Sequence, residues 1–235
     1  MDRKSIKANA KEALRFRYWP IIGIELIASV LIGGVSGMTS GFRFNSDSWK
    51  NLTDNVPYAK EIMAAVASIA AVAAIVGLLY SFLFGNVIQV GNAGICLKAY
   101  EKESFQIKDL FSGLKAYWKN VGTMALYTLF IALGFLCFVV PGIIVALGLF
   151  EVPFLLAEGQ EVSGMAAIRR SWEDMKGYKG KLFVLALSFI GWGLLSALTF
   201  GVLAVFYTGP YISLSEAGFY RERQQLRAAE QQAQL

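Results

Sequence analysis

Three glutamates stand inside long apolar stretches of the sequence: Glu25, Glu151 and Glu216. No lysine or arginine lies within the same apolar runs to neutralise them. An ionised carboxylate at bilayer depth costs roughly 2.5 to 3.5 kcal/mol on insertion scales, so such groups usually face a cavity, a partner or water. Burial also favours the protonated form. Carboxylates in this setting are suited to binding a cation or exchanging a proton.

These glutamates allow two interpretations. In the first, all three surround a cavity open to the cytoplasm, and the amides Asn86, Gln89 and Asn92 contribute to its wall. In the second, Glu216 extends to the membrane interface near Arg221, and the other two glutamates hydrogen-bond to neighbouring helices. The amides are interleaved with glycines, which equally suits close packing of helices inside a bundle.

The composition argues against a familiar enzyme. The chain has no histidine, which removes the commonest general base, the usual metal ligand and the partner of a serine nucleophile. Its two cysteines, Cys96 and Cys137, are too far apart in the sequence to indicate a zinc site. We therefore expect a protein that is not an enzyme, with no cofactor, no metal and no catalytic residues.

Hydropathy and charge together predict an integral membrane protein. Of the 235 residues, 56% are hydrophobic and 17% are charged, and the mean hydropathy is +0.50, which is too apolar for a soluble domain of this length. All lysines and arginines except Arg43, Lys50 and Lys60 fall in segments assigned to one side of the membrane. By the positive-inside rule, both termini are expected in the cytoplasm. The basic segments adjoin apolar runs, so they favour anionic lipid headgroups over nucleic acid.

The apolar runs predict an all-α bundle of six transmembrane helices in a single domain, residues 1–220. Residues 39–60 are predicted to form an outer loop, and residues 221–235 a polar cytoplasmic tail. The second helix is longer than the hydrocarbon, so we expect an irregularity near Gly85 and Asn86. Pro141 and Gly142 are expected to turn the chain between the third and fourth helices. The predicted helices are 18–38, 62–84 with an extension to 97, 121–140, 143–157, 182–200 and 202–219.

The six helices are arranged as three hairpins, each preceded by a basic amphipathic segment. In the middle segment, Ile107, Leu110, Phe111 and Leu114 share one helical face, as in a helix lying on a membrane surface. Local similarities between the three segments suggest hairpins repeated around a shared axis, although any basic interface before an apolar run looks alike. The residues predicted to contact lipid headgroups are Lys4, Lys7, Lys11 and Arg15 in the first segment, and Arg169 and Arg170 in the third.

Several motifs also resemble a bacterial protein family. The resemblance covers nearly the whole chain, and its most specific part is Met175-Lys176-Gly177 leading into 187–192 and Pro210-Tyr211. The family is catalogued as a domain of unknown function, is common in Gram-positive bacteria and consists of six-helix integral membrane proteins. The resemblance implies a polytopic protein of the cytoplasmic membrane, with no established activity or site. The motifs are residues 3–14, 109–113, 141–143, 171–177 and 187–192.

Two functions follow as hypotheses. The favoured one is a non-enzymatic, lipid-interacting scaffold or accessory component, because three amphipathic segments are present and no catalytic set is recognisable. The alternative is a small transporter or binding protein for a cationic or amphipathic solute, which would use the intramembrane glutamates. In either case the expected partners are the bilayer and its anionic lipids, not nucleic acid. A homo-oligomer and a second membrane protein both remain open as partners.

Overall fold

The structure, a computed structural model, describes residues 3–40, 58–159 and 164–233. All regular structure in these ranges is helical, which confirms the all-α prediction. Most of the predicted outer loop, 39–60, lies outside the described residues. The helices are α1 Arg3–Phe16, α2 Tyr18–Ser40, α3 Ala59–Tyr80, α4 Asn86–Tyr100, α5 Tyr117–Cys137, α6 Val139–Gly148, α7 Val152–Ala157, α8 Met165–Asp174, α9 Lys179–Leu187, α10 Ile190–Leu198 and α11 Gly209–Gln232.

Three helical stretches in the described ranges are long and apolar enough to cross a membrane: Ile107–Cys137, Val139–Ala157 and Lys179–Leu198. Two shorter apolar stretches occur at Tyr18–Ser29 and Ala64–Gly77. A chain with several such stretches is a membrane protein. The full set of six crossings stays a prediction.

Three segments depart from α-helical geometry. Residues Ser81–Gly85 and Ala204–Thr208 form π-helical turns, and Ile107–Ala116 forms a 3₁₀-helix. The first π-turn joins α3 to α4, beside the position where the sequence predicts an irregularity. Because a π-turn takes an extra residue, it rotates the side chains that follow it relative to an unbroken α-helix. This rotation sets which face of α4 points into the bundle.

The hairpin between α5 and α6 turns earlier than the sequence suggests. Phe138 is extended, with φ −171° and ψ 163°, and α6 begins at the next residue. Pro141 therefore lies in the first turn of α6, where a missing N–H costs little. A Cβ on Gly142 would come within 2.5 Å of the Phe135 ring, so the two helices can approach this closely only with glycine there.

Two of the predicted transmembrane helices are interrupted. The predicted helix 143–157 is divided by a turn after Gly148, and Pro153 falls in the first turn of α7. The predicted helix 182–200 is interrupted after Leu187. At that interruption the Lys7 ammonium donates a hydrogen bond of 3.3 Å to the carbonyl of Ser188. Such breaks at depth are tolerated where other protein groups satisfy the freed backbone.

The three amphipathic segments pack in a cyclic order. The 3₁₀ segment lies against α4, α8 lies against α7, and α1 lies against α11, so that each covers the second helix of the preceding hairpin. Their apolar faces supply buried residues, among them Ala10 of α1, Leu110 of the 3₁₀ segment and Ala167 of α8, all 0% exposed. We call the end of the bundle where these segments lie the basic end.

The region predicted as a polar tail is largely helical. The last helix, α11, runs without interruption from Gly209 to Gln232. Arg223 within it is only 5% exposed, because it packs against α8 and the residues that follow it. The polar composition of residues 221–235 does not by itself reveal that polar partners lie opposite them in the fold.

Candidate functional site

A cavity of about 460 Å³ lies between α4, α5, α7 and α11. Gln89 and Asn92 line it from α4, and Tyr127 lines it from α5. Phe154 contributes from α7, and Glu216 from α11. The cavity thus combines amides, aromatic rings and one carboxylate drawn from all three predicted hairpins.

A second carboxylate, Glu25 of α2, stands directly behind this wall. Asn92 Nδ2 donates to Glu25 Oε1 over 3.4 Å, and Cys96 Sγ donates to the same oxygen over 3.5 Å. The first of these distances exceeds the usual range for a nitrogen donor, so the hydrogen bond from Asn92 stabilises the Glu25 carboxylate only weakly. Glu216 lines the cavity together with Cys96, which bonds Glu25, so the two carboxylates lie on the same side of the cavity.

The charge around the cavity is unbalanced. No lysine or arginine is among the described residues that line it. The Asn92 Oδ1 atom is buried and has no hydrogen-bond partner within the described part of the chain. The Glu216 carboxylate therefore faces a space walled in part by aromatic rings, and the Glu25 carboxylate lies behind the wall. Oxygen acceptors and ring faces both attract cations.

Glu151 is not among the residues that line this cavity, so the structure does not bring all three glutamates together. Its side chain is 0% exposed, and its Oε2 accepts a hydrogen bond of 3.3 Å from Gln224. Its backbone N–H donates to Ser171 Oγ of α8 over 3.2 Å. The neighbouring Phe150 faces the cavity, and consecutive residues of a helical turn point about 100° apart, so Glu151 points toward α8.

The amides also separate. Gln89 and Asn92 line the cavity, whereas Asn86 is not among its lining residues. All three follow the π-turn at spacings of three residues, which is 60° short of a full α-helical turn at each step. The drift moves the face occupied by Asn86 away from that of Asn92. The sequence alone therefore included one amide too many.

At the basic end, α11 makes polar contacts with α8. The Arg227 guanidinium bonds the Asp174 carboxylate, and Arg223 Nε donates to the Asp174 backbone carbonyl over 2.6 Å. The Arg223 guanidinium also lies 4.3 Å from the centre of the Tyr178 ring. Burial raises the pKa of the Asp174 carboxyl above its ordinary value, while Arg227 and Arg170 act in the opposite direction.

Helix α11 makes a second set of polar contacts with α7 and with the end of α4. The Tyr220 hydroxyl donates to Glu158 Oε2 over 2.6 Å, and Arg221 bonds the other oxygen of the same carboxylate. Arg221 Nε also lies 2.8 Å from Glu101 Oε1. We call the two sets of contacts together the clasp. Its residues are Glu101, Glu158, Asp174, Tyr220, Arg221, Arg223 and Arg227.

The sequence predicts none of the clasp residues as functional. Its only signal is the spacing of Arg223 and Arg227, which are four residues apart and so share one face of a helix. That signal becomes readable only when the segment is known to be helical.

The residues predicted to contact lipid headgroups divide into two groups. Lys4, Lys11, Arg15 and Arg169 are exposed. Lys7 instead points into the protein, where its ammonium also lies 4.1 Å from the centre of the Phe189 ring. Burial lowers the pKa of Lys7, and the charge of Arg3 adds to this effect.

Arg170 likewise turns toward the protein. It is half-buried, and its Nε lies 3.7 Å from Asp174 one helical turn later. A basic stripe in the sequence does not distinguish a lysine that faces lipid from one that donates a hydrogen bond to a free carbonyl at a helix break. Lys7 and Arg170 make contacts within the protein, and lipid contact of the six basic residues stays a prediction.

The comparison with known families covers the part of the chain that holds the second and third predicted hairpins. Residues 120–227 match the family model described as "Protein of unknown function (DUF975)". The prediction of an uncharacterised family is thereby confirmed. The DUF975 match includes Glu216 and most of the clasp, whereas Glu25 and Gln89 precede it. No curated protein and no solved structure matches the chain.

Proposed function

We propose that this membrane protein binds a small organic cation in the cavity that Glu216 lines and Glu25 backs. The observation that carries the proposal is the pair of carboxylates without a basic residue among the cavity's described lining. Such a pair repels itself until a cation or a proton enters. The protein's own need for charge balance thus favours a positively charged occupant.

The size and walls of the cavity favour an organic cation over a metal ion. A volume of about 460 Å³ falls within the usual range of roughly 300 to 1,000 Å³ for small-molecule sites. Hard metal ions prefer a shell of oxygen ligands, whereas much of this wall consists of the rings of Tyr127, Phe150 and Phe154. An ammonium group over such rings gains roughly 0.5 to 2 kcal/mol.

Binding of ethidium, a fluorescent organic cation, tests the proposal. We expect the purified protein in nanodiscs to bind ethidium, measured by fluorescence anisotropy, and Glu216→Gln to weaken binding at least tenfold. Glu173→Gln is the matched control, because the same change at an exposed glutamate of α8 leaves the cavity untouched. Absence of ethidium binding by the folded protein, or equal affinity in Glu216→Gln and wild type, would refute the proposal.

A second function, a lipid-interacting scaffold, is favoured by the exposed basic and aromatic residues at the basic end. Lys11 and Arg15 of α1 are exposed beside Phe16, which is 61% exposed, and Trp118 is 80% exposed. Basic residues beside exposed aromatic side chains suit an interface with anionic lipid. This role places the basic end at the cytoplasmic leaflet, with both termini in the cytoplasm and six crossings.

The scaffold role is tested by lipid retention. We expect Lys11→Glu with Arg15→Glu to reduce the phosphatidylglycerol that co-purifies with the protein, measured by lipid mass spectrometry. Unchanged phosphatidylglycerol would count against the role. Reversal of Lys7 is unsuitable for this test, because Lys7 holds the α9–α10 break instead of facing lipid.

A further inference from the structure

We propose that the second half of α11 is a gate that closes the cavity toward the basic end, and that the clasp holds this gate shut. The proposal adds regulation to the binding site above and rests on that proposed function for its ligand. The gate itself is a claim about access, which is measured without any ligand.

The floor of the cavity consists of rings from α11 and from the α6–α7 region. Tyr220 stacks on Phe154 with ring centres 5.1 Å apart and planes 18° from parallel. Phe219 meets Phe150 edge to face, with centres 5.9 Å apart. Phe150 and Phe154 line the cavity, and Tyr220 is one helical turn beyond Glu216. The ring contacts therefore separate Glu216 from the basic end.

The clasp lies immediately beyond these rings. The Tyr220 hydroxyl that donates to Glu158 belongs to the same side chain that stacks on Phe154. Further along α11, Arg223 and Arg227 hold Asp174. The ring contacts can separate only if these polar contacts to α7 and α8 are released as well. The clasp thus controls the floor of the cavity.

The contact between the second half of α11 and α8 is polar, and a polar contact is less costly to separate than an apolar one. Glu151 is fully buried there, and its Oε1 lacks a hydrogen-bond partner among the described residues. A buried charged group loses hydration that its partners repay only in part. Separation of α11 from α8 would return water to Glu151, Asp174 and Arg223, which offsets much of the lost bonding.

A hinge is present on the other side of the cavity. The π-turn Ala204–Thr208 leads directly into Gly209 and Pro210 at the start of α11. A proline lacks the N–H that would tie it to the preceding turn, and π-turns and prolines are common points of helix bending. A bend at this point would swing the second half of α11 away from α8, because the displacement grows with distance from the hinge.

Access to Cys96, which lines the cavity, reports the state of the gate. In a Cys137→Ser background, the cationic thiol reagent trimethylammonium-ethyl methanethiosulfonate is added to membrane vesicles that expose the cytoplasmic side. We expect slow labelling of Cys96 in this parent. Labelling should be at least tenfold faster in Glu158→Gln with Asp174→Asn, because both anchors of α11 are then weakened.

The matched control is Glu12→Gln, which removes an exposed ion pair with Lys102 at the same end of the bundle and leaves the clasp contacts in place. It should label at the parent rate. If the double variant does not fold, Tyr220→Phe removes a single hydroxyl from the clasp and should still accelerate labelling several-fold. A parental rate in the folded clasp variants would overturn the gate.

The two proposals fail separately. Loss of ethidium binding with clasp-dependent labelling intact would refute the binding function and leave the gate. Ethidium binding that depends on Glu216, combined with a Cys96 labelling rate that is the same in the clasp variants and the parent, would refute the gate alone.

Discussion

Gly91 of α4 is the position where the packing permits the sharpest test. A Cβ at this residue would overlap the carbonyl oxygen of Leu110 and come within 2.6 Å of its carbonyl carbon. Non-bonded carbons normally stay about 3.5 to 4.0 Å apart, so the 3₁₀ segment would have to withdraw by roughly 1 Å or more. Leu110 is 0% exposed, and its withdrawal would loosen the core beneath it.

The expected cost follows from comparison with Gly94, one turn further along the same helix. A Cβ at Gly94 would meet only the Ala157 Cβ, at an ordinary 3.5 Å. Both Gly→Ala changes gain the same helix propensity, about 1 kcal/mol, so their difference isolates the clash. Overpacking typically costs roughly 1 to 3 kcal/mol, and here backbone must move as well. We expect Gly91→Ala to be less stable than Gly94→Ala by at least that amount.

Thermal unfolding of the two variants in the same detergent provides the assay. At roughly 2 to 4 °C per kcal/mol for a chain of this size, the midpoint of Gly91→Ala should fall about 3 to 10 °C below that of Gly94→Ala. Tryptophan fluorescence follows the transition, since Trp118 lies just after the 3₁₀ segment. Equal midpoints would show that the 3₁₀ segment does not pack against α4 as the structure describes.

Three further predictions concern polar groups. Arg223→Gln should destabilise the protein by roughly 2 to 3 kcal/mol in thermal unfolding, because a buried charged hydrogen bond and the contact with Tyr178 are lost. Arg223→Lys should not recover the wild-type stability. Asn120→Asp should cost roughly 1 to 3 kcal/mol, since a carboxylate cannot donate the 2.7 Å bond that Asn120 Nδ2 makes to the Gly113 carbonyl, and a midpoint equal to wild type would contradict that bond. The lowered pKa of Lys7 means that the unfolded chain binds the Lys7 proton more tightly than the folded protein does, so the stability contributed by Lys7 rises as the pH increases from neutral toward the ordinary pKa of lysine. Lys7→Met should remove that rise when the unfolding midpoint is measured against pH. Identical pH profiles for the variant and the wild type would refute this prediction.

Local features of the sequence were sufficient to predict much of the fold. The all-α class follows from the length of the apolar runs, and the amphipathic faces of the three basic segments follow from helical period. Leu110 illustrates the limit of such patterns, because it shares a face with Ile107 and Phe111 in sequence. In the structure Leu110 is fully buried, whereas Ile107 is 55% exposed and Phe111 is 43% exposed. The 3₁₀ geometry has three residues per turn, so it turns Phe111 away from Leu110 by about 120°, whereas Ile107 is exposed at the start of the segment.

The candidate site was only partly predictable for a related reason. The sequence is enough to show that Glu25, Glu151 and Glu216 need partners, because a charged residue in an apolar run is costly wherever it occurs. Which of them meet depends on the rotation of each helix about its axis, and the turn after Gly148 decides that rotation for Glu151. The groups that surround each glutamate then come from distant parts of the chain.

The sequence by itself therefore determined that this protein is helical and membrane-embedded, and that its apolar segments hold carboxylates. Only the tertiary structure decided that Glu25 joins Glu216, that Glu151 instead joins Gln224, and that the supposed tail is the far half of α11. The physical reason is that hydropathy and helical period act locally. The pairing of buried polar groups is settled by contacts between residues far apart in the chain.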